Sequence, residues 1–216
     1  MESKNIKEVF LAEALGHSNA CDIRLAENTI ILPKGSMIDA RMIGRLAAQG
    51  IDRIAVYRKP RISILVIGQG LISPGIPPAS GKSYDFSIAE LKALLETKRI
   101  RPVFVRQLKA EPKMLRRMIP FAVNQSDMII LVIKEIGQGL VRIRRLLEDL
   151  HVKIIFTEKK LGSAKMRIAA GKGKKTVFCL SYNSDHIFDS FYKFIHPTIQ
   201  AFMGCANSKD IVCGVS

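Results

Sequence analysis

The sequence predicts an α/β protein: a three-layer α/β/α domain with a largely parallel central sheet, preceded by a small α+β leader. Two apolar runs, Ile62-Ser63-Ile64-Leu65-Val66-Ile67 and Met128-Ile129-Ile130-Leu131-Val132-Ile133, lack the alternation of a half-exposed strand. Both therefore read as strands buried on two faces. Between and after them apolar residues recur at helical spacing, and strands alternating with helices specify parallel pairing through crossovers. The pattern changes at Pro60, which ends the leader.

In the leader, residues 1–60, positions 5 to 15 read as a short helix and Asn28-Thr29-Ile30-Ile31-Leu32 as a strand before a Pro33-Lys34-Gly35 turn. Met37, Ile38, Met42, Ile43 and Leu46 mark a helix ending near Gly50, and Arg53-Ile54-Ala55-Val56-Tyr57 returns as a strand. The main domain, residues 61–204, opens on the strand at Ile62. Ile88, Leu91, Leu94 and Leu95 then form a helical face, and Val103-Phe104-Val105 a strand. Met114, Leu115, Met118, Ile119, Ala122 and Val123 form the next helix, which Pro120 should kink or shorten. After the strand ending at Ile133 come a helix from about Gly139 to Leu150, a strand at Lys153-Ile154-Ile155-Phe156, and a hairpin around Gly171-Lys172-Gly173. A last helix starts near Ser184, with Phe188, Phe191, Phe194 and Phe202 expected in the core; residues 205–216 are a tail.

Composition narrows the function classes. With 48% hydrophobic and 25% charged residues the chain of 216 residues is not disordered, and its apolar runs are too short to span a bilayer. No apolar segment follows Met1, so a soluble cytoplasmic protein is expected. Cys21, Cys179, Cys205 and Cys213 form no C-x-x-C pair, and the four histidines are scattered, which gives no support to a zinc site or a disulfide framework. The formal charge of +15 implies an anionic partner. Much of it crowds between Arg142 and Lys175, but with no tryptophan and 6% aromatics there is little to stack single-stranded bases on, and a solvated basic face explains it equally well. Gly171-Lys172-Gly173-Lys174-Lys175-Thr176 is not a P-loop, because Ile168 stands where its first glycine belongs.

Four stretches, "EALGHSNACDI" (13 to 23), "ILPKGSMIDARMIGRLAAQGIDRIAVYRKPRISIL" (31 to 65), "SDMIILVI" (126 to 133) and "FIHPTIQAFMG" (194 to 204), together resemble the molybdopterin-binding domain family, the MoeA and MogA group. The resemblance covers nearly the whole chain. It implies the MogA/MoeA-like α/β/α fold, a leader similar to that of short MoeA-like proteins without the N-terminal lobes, and assembly as a dimer or trimer. It also implies a phosphorylated pterin ligand, molybdopterin or its adenylylated form, with Mg2+ assisting, and partners in the molybdenum-cofactor pathway.

Transferred position by position, the implied pterin site falls on Gly68, Ser83, Asp85, Lys134, Gly162, Ser163 and Asn183, and the implied metal ligands on Asp85 and Glu111. Several family motifs are altered. The threonine-glycine-aspartate-glutamate turn becomes Ile67-Gly68-Gln69-Gly70-Leu71, without its acids. Ile133 and Lys134 replace the paired glycines of the glycine-glycine-x-serine-x-glycine loop, adding β-carbons where backbone should approach a ligand. Glu135 stands beside Lys134, Leu140 and Val141 occupy the place of the following carboxylate, and Asp127 reads as a strand-start residue. Asn183 has a plain alternative role as a helix N-cap.

Three functions are compatible with this pattern. One is a non-catalytic MoeA-type relative that binds pterin or a pathway protein. A second is an active short molybdopterin molybdenumtransferase with a rebuilt site. The third is a basic surface turned to nucleic acid, for which no sequence-reading module is present.

Overall fold

The computed structural model describes residues 6–14, 23–24, 30–32, 36, 38–77, 80–134, 137–161, 164–172 and 175–204. The chain divides into two compact units, Met1–Pro60 with His196–Ser216, and Arg61–Ile195.

In the first unit, β1 (Ile6–Phe10) pairs antiparallel with β4 (Arg53–Tyr57), β2 (Ile23–Arg24) pairs with β3 (Ile30–Leu32), and α1 spans Ala40–Ala48. Asp39 caps α1, its carboxylate accepting from the Met42 N–H at 2.7 Å. The helix expected over residues 5 to 15 is instead β1 followed by one 3-10 turn, Leu11–Glu13. Strand β4 needs a backbone partner, and Ile6-Lys7-Glu8-Val9-Phe10 supplies one, with Ile6 opposite Tyr57 and Phe10 opposite Arg53. Val9, Leu11, Ile38, Leu46, Ile54 and Val56 form this unit's core. The residues from His196 onward belong to this unit rather than to the sheet domain. In it, the Arg58 guanidinium lies 4.9 Å over the Phe202 ring and Gly204 packs against the Tyr57 ring with no room for a β-carbon.

The second unit is built on a six-stranded sheet. Its strands are β5 (Ile62–Ile67), β8 (Phe104–Leu108), β9 (Met128–Ile133), β10 (Lys153–Leu161), β11 (Ala164–Lys172) and β12 (Lys175–Ser181), in the order β10-β11-β12-β9-β5-β8. The β12–β9, β9–β5 and β5–β8 pairs are parallel, and β11 alone runs against the rest. Every residue of β5 and β9 is buried, as their unbroken apolar runs require.

Side chains alternate across these strands, so each run feeds two cores. Leu65, Ile67, Ile129 and Leu131 pack with Leu115 and Ile119 of α3 (Pro112–Gln125) and Ile143 and Leu147 of α4 (Gly137–Asp149). Each such side chain contributes roughly 1.5–3 kcal/mol through burial. α2 (Ser87–Glu96) and α5 (Ser184–Ser190) pack against each other and on the sheet. A π-helical turn, Phe191–Ile195, and α6 (His196–Phe202) follow.

Two expectations change. α3 runs through Pro120 for 14 residues, so the proline does not shorten the helix. Phe191 and Phe194 are buried, but Phe188 is 49% exposed, with its ring 4.9 Å from that of Tyr192. Among the described residues no helix is long and apolar enough to cross a membrane.

Candidate functional site

In parallel sheets the loops beyond the carboxyl ends of the strands are where ligands bind. Here those ends are held in a row by backbone bonds. The Gly68 N–H donates to the Leu108 carbonyl at 3.0 Å, Lys134 N–H to Ile67 at 2.9 Å, and Tyr182 N–H to Ile133 at 3.0 Å. Gly68 and Lys134 are thus neighbours across the sheet. A β-carbon on Gly68 would sit 2.8 Å from the Lys134 Cβ and 3.0 Å from the Leu71 Cδ1, so the lysine stem is what requires glycine there.

The loop after Gly68 turns at Gly70, whose φ of +66° is a left-handed value that glycine tolerates. It continues as a two-stranded ribbon in which β6 (Leu71–Ile72) pairs with β7 (Ser83–Tyr84), and the Ser83 N–H donates to the Gly70 carbonyl at 2.9 Å. The ribbon brings Ser83 to Lys134. The Lys134 Nζ donates to the Ser83 Oγ at 2.8 Å and to the Gln69 carbonyl at 3.3 Å. Both acceptors are neutral, and no carboxylate pairs with this ammonium among the described residues.

A second cluster lies beside it on the Asp85 loop. Asp85 is 2% exposed; its Oδ1 accepts from the Ser87 N–H at 2.9 Å and the Ser87 Oγ at 2.6 Å, while its Oδ2 is buried without a hydrogen-bond partner among the described residues. The Phe86 and Tyr182 rings lie 4.6 Å apart, and the Tyr182 hydroxyl donates to the Tyr84 carbonyl at 3.0 Å. Burial, and next the charge of Asp85, push the Tyr182 pKa up against a weaker opposing hydrogen bond from Phe86. The phenol is therefore a neutral donor.

Gly68, Ser83 and Lys134 are accordingly brought together, with Asp85 on the adjoining loop. Asn183 caps α5, its Oδ1 accepting from the His186 N–H at 3.0 Å. Asp127 takes the strand-start role, receiving the Arg61 N–H at 2.8 Å and pairing with its guanidinium at 3.4 Å. Glu111 precedes α3, exposed, with its carboxylate 4.0 Å from the Lys109 ammonium. Gly162, Ser163 and the Glu135-Ile136 pair lie outside the described residues. The sequence reading missed Tyr182 and Ser87.

The fit to a divalent cation is poor. Among the described residues no group of three His, Cys, Asp or Glu side chains converges, so the unpartnered Oδ2 of Asp85 would be a lone carboxylate ligand. The arrangement can hold an anion near Lys134 and donate or accept hydrogen bonds through Ser83. Two hydroxyls meet a candidate base, Ser87 Oγ the Asp85 carboxylate at 2.6 Å and Ser83 Oγ the Lys134 Nζ at 2.8 Å, but the first pair is buried and in the second the lysine is the donor.

The fold is that of an α/β protein whose six-stranded sheet has five parallel strands and one antiparallel, with the candidate site at the carboxyl ends of the parallel strands. No protein-family model matches the sequence. The chain is, however, similar to molybdopterin molybdenumtransferases. It is 23% identical over 171 residues to molybdopterin molybdenumtransferase 1 of Mycobacterium tuberculosis, covering 79% of this chain and 40% of that protein. It is 24% identical over 193 residues to the Nostoc sp. molybdopterin molybdenumtransferase, covering 85% and 43%. This chain thus spans less than half the length of these curated relatives. Among solved structures, a molybdopterin biosynthesis MoeA protein from Pyrococcus horikoshii superposes with a TM-score of 0.68 at 20% identity, over 82% of this chain and 44% of that one. A molybdenum cofactor biosynthesis protein from Pyrococcus furiosus gives 0.67 at 20% identity, over 96% and 67%.

Proposed function

We propose that this chain is a MoeA-like protein of molybdenum cofactor biosynthesis that binds a phosphorylated pterin at the carboxyl ends of β5 and β9 and acts by binding rather than by metal-assisted transfer. The observation that carries this is the Lys134 ammonium, held by two neutral oxygens with no carboxylate partner among the described residues. Such a charge favours a phosphate group, as a charge-assisted hydrogen bond is about twice as strong as a neutral one. The lysine stands where the resembled family presents glycine backbone to its ligand. It substitutes a side-chain cation for a cradle of N–H groups.

Mg2+ enters no step of this reading, since the described residues do not supply the oxygen cage it needs. The acid-poor loop at Gln69 and the exposed, lysine-paired Glu111 support the same conclusion. Ser83 remains to orient a ligand by hydrogen bonding, since its oxygen accepts from Lys134 while its hydroxyl can donate.

Isothermal titration with molybdopterin tests the proposal, run with and without magnesium and on the Lys134→Ala variant. Saturable binding that is independent of magnesium and weakened by the substitution is expected. Tight binding only with magnesium would indicate a working transferase site instead, and no binding at any salt concentration would remove the pterin assignment.

A further inference from the structure

Away from the strand ends, a cleft opens between α3 and α4 on one face of the sheet, with a volume of about 330 Å³. Leu115 and Leu146 give it an apolar floor, and three arginines, Arg116 from α3 and Arg142 and Arg145 from α4, line its sides. The helical spacing explains the convergence. Positions 142, 145 and 149 follow one another at three- and four-residue steps and therefore share one face of α4. α3 carries Lys113, Arg116 and Arg117 and no acid, and of these three Arg116 lines the cleft.

Neighbouring charges are partly settled already. Arg144 is engaged by Glu148 at 3.0 Å, whereas Arg116 and Arg145 make no ion pair among the described residues. The arginines share the cleft with the carboxylates of Glu148 and Asp149, and Arg116 and Arg145, with no ion pair among the described residues, are the ones left to meet an entering anion. A merely solvated face has no need to gather them around an apolar floor.

We propose that this cleft is a second anion site, separate from the strand-end site, for a small phosphate ester of mononucleotide size. The arginines present planar donor forks to the phosphate oxygens. Leu115 and Leu146 lie beneath the apolar body of the ligand, and the Asp149 carboxylate at the rim accepts from its hydroxyl or amino groups. A cleft of this volume lies at the small end of ligand sites and encloses a single unit rather than a strand. The carboxylates of Glu148 and Asp149 on the same wall also disfavour a continuous run of phosphodiesters.

The test is isothermal titration of the full chain with adenosine monophosphate, and separately with a mixed-sequence single-stranded oligonucleotide, at one fixed moderate salt concentration. Saturable binding of the mononucleotide is expected, weakened at least about tenfold in Arg116→Ala/Arg145→Ala and unchanged in Arg101→Ala, an exposed arginine outside both sites. Arg145→Glu, a single change at an exposed position, gives the same reading if the double variant does not fold. Unchanged mononucleotide affinity in these variants overturns the proposal. So does binding confined to the oligonucleotide, which would assign the arginines to a polyanion surface.

Discussion

The Lys134 Nζ donates a 2.8 Å hydrogen bond to the Ser83 Oγ, linking the end of β9 to a ribbon 51 residues earlier in the chain. This contact joins the two loops that carry the altered motifs. Lys134→Ala should weaken binding of a phosphorylated pterin by at least about tenfold, the value of one charge-assisted hydrogen bond. Ser83→Ala should cost only a few-fold, because the Gln69 carbonyl still holds the ammonium. Titration of both variants against the unaltered chain measures the two effects.

The same lysine accounts for Gly68. A β-carbon there meets the Lys134 Cβ at 2.8 Å, so Gly68→Ala should destabilise the domain by about 1–3 kcal/mol, as overpacking does. Replacing the lysine by glycine removes that neighbour. In a double-mutant cycle by urea unfolding, Lys134→Gly should recover a large part of the loss, leaving only the softer approach to Leu71 at 3.0 Å. Additive effects would show that the glycine serves another purpose.

Asn183 separates a structural from a ligand-binding role. Its side chain accepts the His186 N–H at 3.0 Å as the N-cap of α5. Asn183→Ala should lower stability by about 1 kcal/mol, and Asn183→Ser, which keeps a capping oxygen, should restore most of it. Thermal unfolding measures this, and the pterin affinity of Asn183→Ser should match that of the unaltered chain. A binding defect in the serine variant with normal stability would make Asn183 a ligand contact.

The sheet was legible because β5 and β9 are apolar at nearly every position, a pattern only a strand buried on both faces requires. Helices were legible for a related reason: Leu115, Ile119, Ala122 and Val123 mark one face of α3 regardless of Pro120. The leader was harder. Ile6-Lys7-Glu8-Val9-Phe10 carries too few apolar residues to fix a period, and what makes it a strand is the edge of β4, 43 or more residues later, with Arg53 packing 4.3 Å over the Phe10 ring. At the candidate site, single residues such as Lys134 could be found by position, but their partners could not. That Ser83 rather than an acid meets the lysine depends on the turn at Gly70, and that Tyr182 faces Phe86 depends on the placement of β12 beside β9.

Glu90 on α2 provides a pH-dependent test of the packing against α5. Its Oε1 accepts from the Ser184 hydroxyl at 3.1 Å, and its Oε2 is buried with no partner among the described residues. Burial raises its pKa, the Ser184 hydrogen bond opposes this, and the nearby charge of Asp185 adds to the rise. A raised folded-state pKa means that the folded chain holds this proton more tightly than the unfolded one. The associated stability is complete below the unfolded carboxylate pKa and is lost as pH rises through the folded value. At neutral pH the carboxylate is therefore a net cost. Glu90→Gln retains an acceptor for Ser184 and removes the charge, so it should stabilise the fold at pH 7 by less than about 1 kcal/mol, a figure discounted for solvent screening of a partly buried group. The advantage should shrink toward zero near pH 4, where Glu90 itself is protonated. Urea unfolding of both proteins at the two pH values decides it: an equal difference at both would show that amide and carboxyl differ there in packing rather than in charge.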